Sequence, residues 1–284
     1  MAFPVDDLYT VDSGAGIYTG NIPLPVVAHV FIESGQSNCQ GLAPRAGAPA
    51  GSDPGPIAGC KTWRRNQDGD MYSGAGAWQD LDYEWNQYQG RNQFGSILKF
   101  GLSMSAVLND ANNDLYFIKA DGNGKPIAGW LNGGNEAVAM YAGHITPALA
   151  DLASNSAYDE IRIHGFFWDQ GESDSGLLSL ANAYSADLTT FISDVRAAVG
   201  ISNLPFFIRK LDSAVLTPGF THVDKVIAAQ VAAAASDPDV YTLDGPYTYL
   251  PDNLHIDADG QNLVGDDRHT ASVAATTNGF LYNV

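Results

Sequence analysis

The chain has 284 residues, 45% of them hydrophobic and 16% charged, a composition that buries a sizeable core and excludes a disordered acidic tail. Acids outnumber Lys and Arg by 32 to 14, and the formal charge of -18 argues against nucleic acid and anionic membrane surfaces as partners. No run of about 18 apolar residues occurs, so no membrane-spanning helix is expected.

Residues 1–25 are mixed, with Gly, Asp and Tyr prominent, and read as an arm laid on a domain that occupies 26–284. They lack a basic start followed by an apolar stretch, so no signal peptide is expected; a secreted or phage-particle setting is favoured. Residues 26–32 form an apolar, β-branched run that ends in Glu33-Ser34-Gly35 and predicts a buried strand. About sixty weakly periodic residues follow. Residues 43–60 are rich in Gly, Pro and Ala, and Trp63, Tyr72, Trp78, Tyr83, Trp85 and Tyr88 come after them. A structureless loop of that length is uncommon and usually functional. Arg64-Arg65 within it reads as a solvated pair.

Regular alternation then begins. Residues 94–109 predict a helix, 114–119 a strand, and 135–154 a helix that Pro147 should bend or break. Residues 161–168 predict a strand, and 178–199 a helix stopped by Gly200. A strand at 204–209, an alanine-rich helix at 221–235, a short strand at 240–243 and a helix at 259–275 complete the pattern. Five apolar strands separated by helices imply an α/β fold: a mainly parallel sheet in a three-layer α/β/α sandwich. Cys39 and Cys60 form no CxxC pair, which excludes a zinc ribbon or thioredoxin-like site. A disulfide and two reduced thiols are both open readings.

Ligands of open parallel sheets bind beyond the carboxyl ends of the strands. Three polar turns fall there, the first two of them glycine-bearing: residues 34–38, 168–174 and 252–255. Together they hold a serine, an amide, carboxylates and a histidine, the parts of an acyl-transfer site. Ser37 is the candidate nucleophile, although an isolated Gly-x-Ser is more often a turn or a helix cap. His255 is the candidate base, with Asp252 three residues earlier to fix its tautomer. Gln170 is the candidate oxyanion donor. Glu172 reads as a tie between neighbouring turns, and Asp174 as a surface or supporting residue. His29 and His164 fall inside strands and read as packed or hydrogen-bonded. Residues 255–266 mimic the acid spacing of a calcium loop, but His255 stands first and Asp266 last, so those acids read instead as the start and solvent face of a helix.

In order and spacing these residues resemble the SGNH hydrolase superfamily, and most of all its carbohydrate esterase branch of sialate O-acetylesterases and plant-type acetylxylan esterases. Gly35-Gln36-Ser37-Asn38 resembles the first motif and Phe94-Gly95-Ser96 the second. Trp168 through Ser173 resembles Trp-x-Gln-Gly-Glu-Ser, and Asp252, His255, Gly260 and Gln261 resemble the last. The resemblance spans roughly residues 27–275. It implies a flavodoxin-like sheet of order 2-1-3-4-5. It also implies a Ser37–His255–Asp252 triad and an oxyanion hole from Ser37, Gly95 and Gln170, with Gln36, Asn38 and Glu172 in support. No metal or organic cofactor is implied. The implied activity is removal of O-acetyl groups from an acetylated oligo- or polysaccharide, with the chain's charge weakly disfavouring strongly anionic glycans. The alternatives are a general SGNH lipase or thioesterase, and a non-catalytic glycan-binding or phage-particle domain of the same fold. Two departures stand out: Asp169 where His or Tyr is frequent, and Cys39 where Met is common. The 39–93 insertion is expected to build a substrate wall.

Overall fold

A computed structural model of the chain describes residues 11–12, 17–18, 25–52, 56–64, 76–82, 92–108, 113–213 and 219–277. The central sheet contains β1 (Val27–Gly35), β2 (Cys60–Arg64), β3 (Ala77–Asp80), β4 (Asn113–Asp121), β5 (Glu160–Asp169), β6 (Phe206–Arg209) and β7 (Val240–Leu243). Their order is β7-β6-β5-β1-β4-β2-β3. Neighbours run parallel except for β2 and β3, which pair antiparallel.

The sheet therefore has seven strands where the sequence predicts five. The five predicted strands take the expected 2-1-3-4-5 order, and the two additional ones come from the insertion. Both are short, and their apolar pattern is weak. They form because β4 offers an unpaired edge whose backbone groups need partners.

The described helices are α1 (Ser37–Gln40), α2 (Ile97–Leu108), α3 (Asn135–Met140), α4 (Thr146–Ser154), α5 (Glu172–Ser175), α6 (Leu178–Val199), α7 (Val223–Ser236) and α8 (Ala258–Thr277). Side chains of α3, α4, α6 and α7 pack with Val30, Ile32, Phe166, Trp168, Phe206 and Ile208 on one face of the sheet. Those of α2 and α8 pack with Phe31, Phe117, Phe167 and Phe207 on the other. Alternate strand residues thus serve opposite cores, which is why these strands read as unbroken apolar runs. No described helix is long and apolar enough to cross a membrane.

The local signals act as the chemistry requires. Gly200 takes a left-handed conformation (φ 81°) and its N–H returns to the Arg196 carbonyl, closing α6. Before Pro147 the backbone widens into a π turn over Tyr141–Ile145, so α3 and α4 join without a break. A proline lacks an N–H and crowds the carbonyl four residues back, and the wider turn relieves both.

Trp63 is buried, and Trp78 stacks edge-on between it and Tyr116 at ring distances of 5.2 and 4.7 Å. Trp63 belongs to the core, and the half-buried Trp78 packs against it. Arg65, Tyr72, Tyr83, Trp85, Tyr88 and the side chain of Arg64 lie outside the described residues, as do most of residues 1–25 expected to form an arm. Cys39 and Cys60 are both free and buried. Burial pushes the Cys39 thiol well up and the Cys60 thiol to about 12, so each is a neutral packing group.

Candidate active site

The three polar turns meet at one edge of the sheet. β1 runs into Gly35, where a Cβ would lie 2.1 Å from the Asp169 carbonyl oxygen of β5. Only glycine fits that crossing. It lets the chain turn at once into α1, with Ser37 in the first position.

A helix of one turn has no stability of its own, since nucleation is unfavourable. Tertiary partners hold α1, and all four of its carbonyls are satisfied. Ser37 O accepts from Gly41 N–H and Asn38 O from Gln261 Nε2, while Lys119 Nζ donates to Cys39 O and Gln40 O. A lysine at the helix C-terminus also suits its dipole.

Residues 248–257 fold back on themselves. Leu250 N–H bonds to His255 O and Asp257 N–H to Thr248 O, and Ile256 anchors the loop against Tyr247 and Val264. His255 Nε2 lies 3.0 Å from Ser37 Oγ, and His255 Nδ1 lies 2.7 Å from Asp252 Oδ2. Partial burial raises the Asp252 carboxyl, but bonds from the His255 backbone and ring and from Leu254 N–H outweigh it and hold the group below its ordinary range. An ionised carboxylate only accepts, so Nδ1 carries the imidazole proton and Nε2 is free to accept from Ser37.

Asn38 fastens this loop to α1. Its Nδ2 donates to Leu254 O at 3.1 Å and its Oδ1 accepts from Ile256 N–H at 2.9 Å, one residue to either side of His255. The same Nδ2 donates to Glu172 Oε1 at 2.6 Å. Glu172 thus joins turns, as its place in the sequence suggests.

Beneath the turns lies a charge network that no sequence pattern marks. Arg209 bonds both Asp169 and Glu172 at 2.5 Å, while Arg268 and Lys119 face Glu33. Three buried acids face three buried bases, so the charges balance. Burial pushes the Asp169 carboxyl up against the pull of Arg209, and Arg209 itself, despite burial, is held firmly protonated by Asp169 and Glu172. The acid at 169, a departure from the related motif, is matched by this arginine.

Gln170 is fully buried. Its Nε2 donates to Asp174 Oδ2 at 2.5 Å and to Lys125 O at 3.0 Å, and lies 3.4 Å from Gln36 Oε1. Asp174 is not a surface residue: it is 1% exposed and also accepts from Ile127 N–H. Burial raises its pKa to about 6, opposed by the Gln170 and Ile127 bonds. An acid whose folded pKa exceeds its unfolded value is least favourable at high pH, and that penalty fades as pH falls through the folded pKa. Asp174→Asn should therefore gain stability relative to wild type as pH rises from 4 to 7, read from urea midpoints. A constant difference across that range would refute the raised pKa.

Two remaining expectations can be placed. Asp257 accepts from Gly260 N–H at 2.9 Å and caps α8, and the described residues contain no cluster of His, Cys, Asp and Glu suited to a metal ion. His29 Nδ1 and His164 Nε2 lie 2.7 Å apart inside the sheet, away from the three turns.

A family model described as carbohydrate esterase, sialic acid-specific acetylesterase, matches residues 27–273. Comparison with the curated proteins gave no match. Among solved structures, an Arabidopsis thaliana protein aligns with a TM-score of 0.67 and 18% identity, covering 88% of this chain and 99% of the other. NanS aligns at 0.63 and 13%, covering 90% and 100%, and a carbohydrate acetylesterase of Xanthomonas citri at 0.58 and 16%, covering 88% and 56%. At these identities the structures establish a common fold, and the family match over most of the sequence establishes membership. The chain belongs to the carbohydrate esterase, sialic acid-specific acetylesterase family, and is a carboxylic ester hydrolase that acts on O-acetylated carbohydrate.

Proposed function

We propose that Ser37 is the nucleophile of this esterase, His255 its general base and Asp252 the group that orients the base. The observation that carries the reading is the continuous line from Ser37 Oγ through the imidazole to Asp252, at 3.0 and 2.7 Å. Ser37 Oγ attacks the acetyl carbonyl carbon as its proton passes to Nε2. The tetrahedral intermediate collapses, and the imidazolium returns the proton to the departing sugar oxygen. Water, activated by the same imidazole, then releases acetate and restores the serine.

The developing oxyanion needs donors fixed in advance. The backbone N–H groups of Ser37 and Gly95 are proposed for this, with the Gln170 amide as a third. An amide nitrogen has two hydrogens, and Asp174 and Lys125 O take both. Serving the oxyanion means giving up the neutral carbonyl, the weaker of the two acceptors. Gln170→Ala should then lower kcat by roughly 100-fold. An unchanged rate removes Gln170 from the site.

The substrate class proposed is an acetylated oligo- or polysaccharide. The test is acetate release from acetylated xylan, acetylated sialate and acetylated capsule glycans, combined with Asp252→Asn. An asparagine offers its N–H to Nδ1 and drives the ring proton to Nε2, where it blocks the serine. The rate should fall by roughly 10³- to 10⁴-fold with the fold intact. A variant with near wild-type turnover would remove Asp252 from the mechanism.

A further inference from the structure

Gln261 is fully buried in the first turn of α8, outside the path of the proton. Its amide faces two elements. Oε1 accepts from Ser96 N–H at 2.8 Å, and Nε2 donates to Asn38 O at 3.1 Å. One end therefore holds the residue after Gly95, and the other holds the residue after Ser37. The two backbones already touch: a Cβ on Gly41 would lie 2.4 Å from Gly95 N. The short ladder of Ala43–Pro44 with Gln93–Phe94 fixes the approach from one side. Gln261 closes it from the other.

We infer that Gln261 is a positioning residue that sets the spacing of the Ser37 and Gly95 N–H groups. The inference rests on the assignment of those two groups to the oxyanion hole. Donors act on an oxyanion only within about 2.7–3.1 Å, so a small change of spacing weakens the transition state before it weakens ester binding. Glutamine suits the task because one planar group supplies both an acceptor and a donor at the required span. Glutamate keeps the acceptor for Ser96 but sets a carboxylate oxygen against the Asn38 carbonyl. Methionine keeps the length and supplies neither bond.

The test compares Gln261→Glu and Gln261→Met with wild type. It measures kcat and KM for an aryl acetate and the rate of inactivation by an aryl phosphonate. The phosphonate's tetrahedral adduct on Ser37, identified by peptide mass, places an oxygen in the hole. Both kcat and the inactivation rate should fall together by about 10- to 100-fold, Met more than Glu, while KM changes by less than about threefold. Folded variants that react like wild type overturn the inference. So does a rise in KM with kcat unchanged, which marks a ground-state contact. If the Met variant does not fold, the Glu variant, which keeps the Ser96 bond, decides the matter alone. If wild type itself gains no phosphonate on Ser37, the nucleophile assignment fails, and that outcome is separate from any behaviour of Gln261.

Discussion

Ser37→Ala is expected to cut acetate release by on the order of 10⁴-fold or more while leaving the protein folded. The size follows from the loss of the covalent route: without Oγ, His255 can only activate water, which is not held against the carbonyl. The fold should survive because the change removes one hydroxyl, bonded to the partly exposed His255, and leaves every carbonyl of α1 satisfied. Loss of such a bond costs about 1 kcal/mol. The measurement is acetate release together with the urea midpoint of the same preparation. A folded variant with full activity would refute the nucleophile, and a variant that fails to fold would show that α1 depends on Ser37 in a way the hydrogen bonds do not reveal. Binding of acetylated glycan by the inactive variant should persist, because Oγ acts in the chemical step.

The second large effect concerns stability. Arg209→Met should cost about 3–5 kcal/mol, because it strands Asp169 and Glu172 in the interior without the cation that pairs them both. The long apolar side chain fills the volume, so the loss is electrostatic and not a cavity. Asp169 fixes the sign of the pH dependence. Burial already pushes its carboxyl up, and removal of Arg209 removes the main opposing influence. The deficit should be largest at neutral pH and shrink as the solution is acidified and the carboxyl protonates. Asp169→Asn added to Arg209→Met should recover part of the loss. A single variant within about 1 kcal/mol of wild type would mean that water reaches the pair. Because Glu172 also bonds Asn38, which grips the chain on both sides of His255, the variant should lose turnover as well.

Much of this protein was legible before any coordinates. Periodicity is local, and so it located the five core strands and the long helices to within a few residues. Gly200 ended α6 where it should, since a left-handed stop needs no distant partner. The three polar turns follow the carboxyl ends of strands, which already implied one common edge. What the sequence could not settle is long-range. β1 reads as ending at Ile32 because Glu33 and Ser34 are polar, yet the strand runs on to Gly35. Glu33 is tolerated there only because Lys119 and Arg268, from distant parts of the chain, come to meet it. Asp169 ends β5 for the same reason, with Arg209. β2 and β3 carry too short an apolar pattern to declare themselves; the free edge of β4 decides their state. Gln261 belongs to the last motif, but its two bonds exist only once α8, α1 and Gly95 are packed together. Composition, order of elements and candidate chemistry were thus set by neighbours along the chain. The pairing of buried charges, the extent of the sheet and the spacing of donors around Ser37 were set by packing, because each joins groups that no local pattern connects.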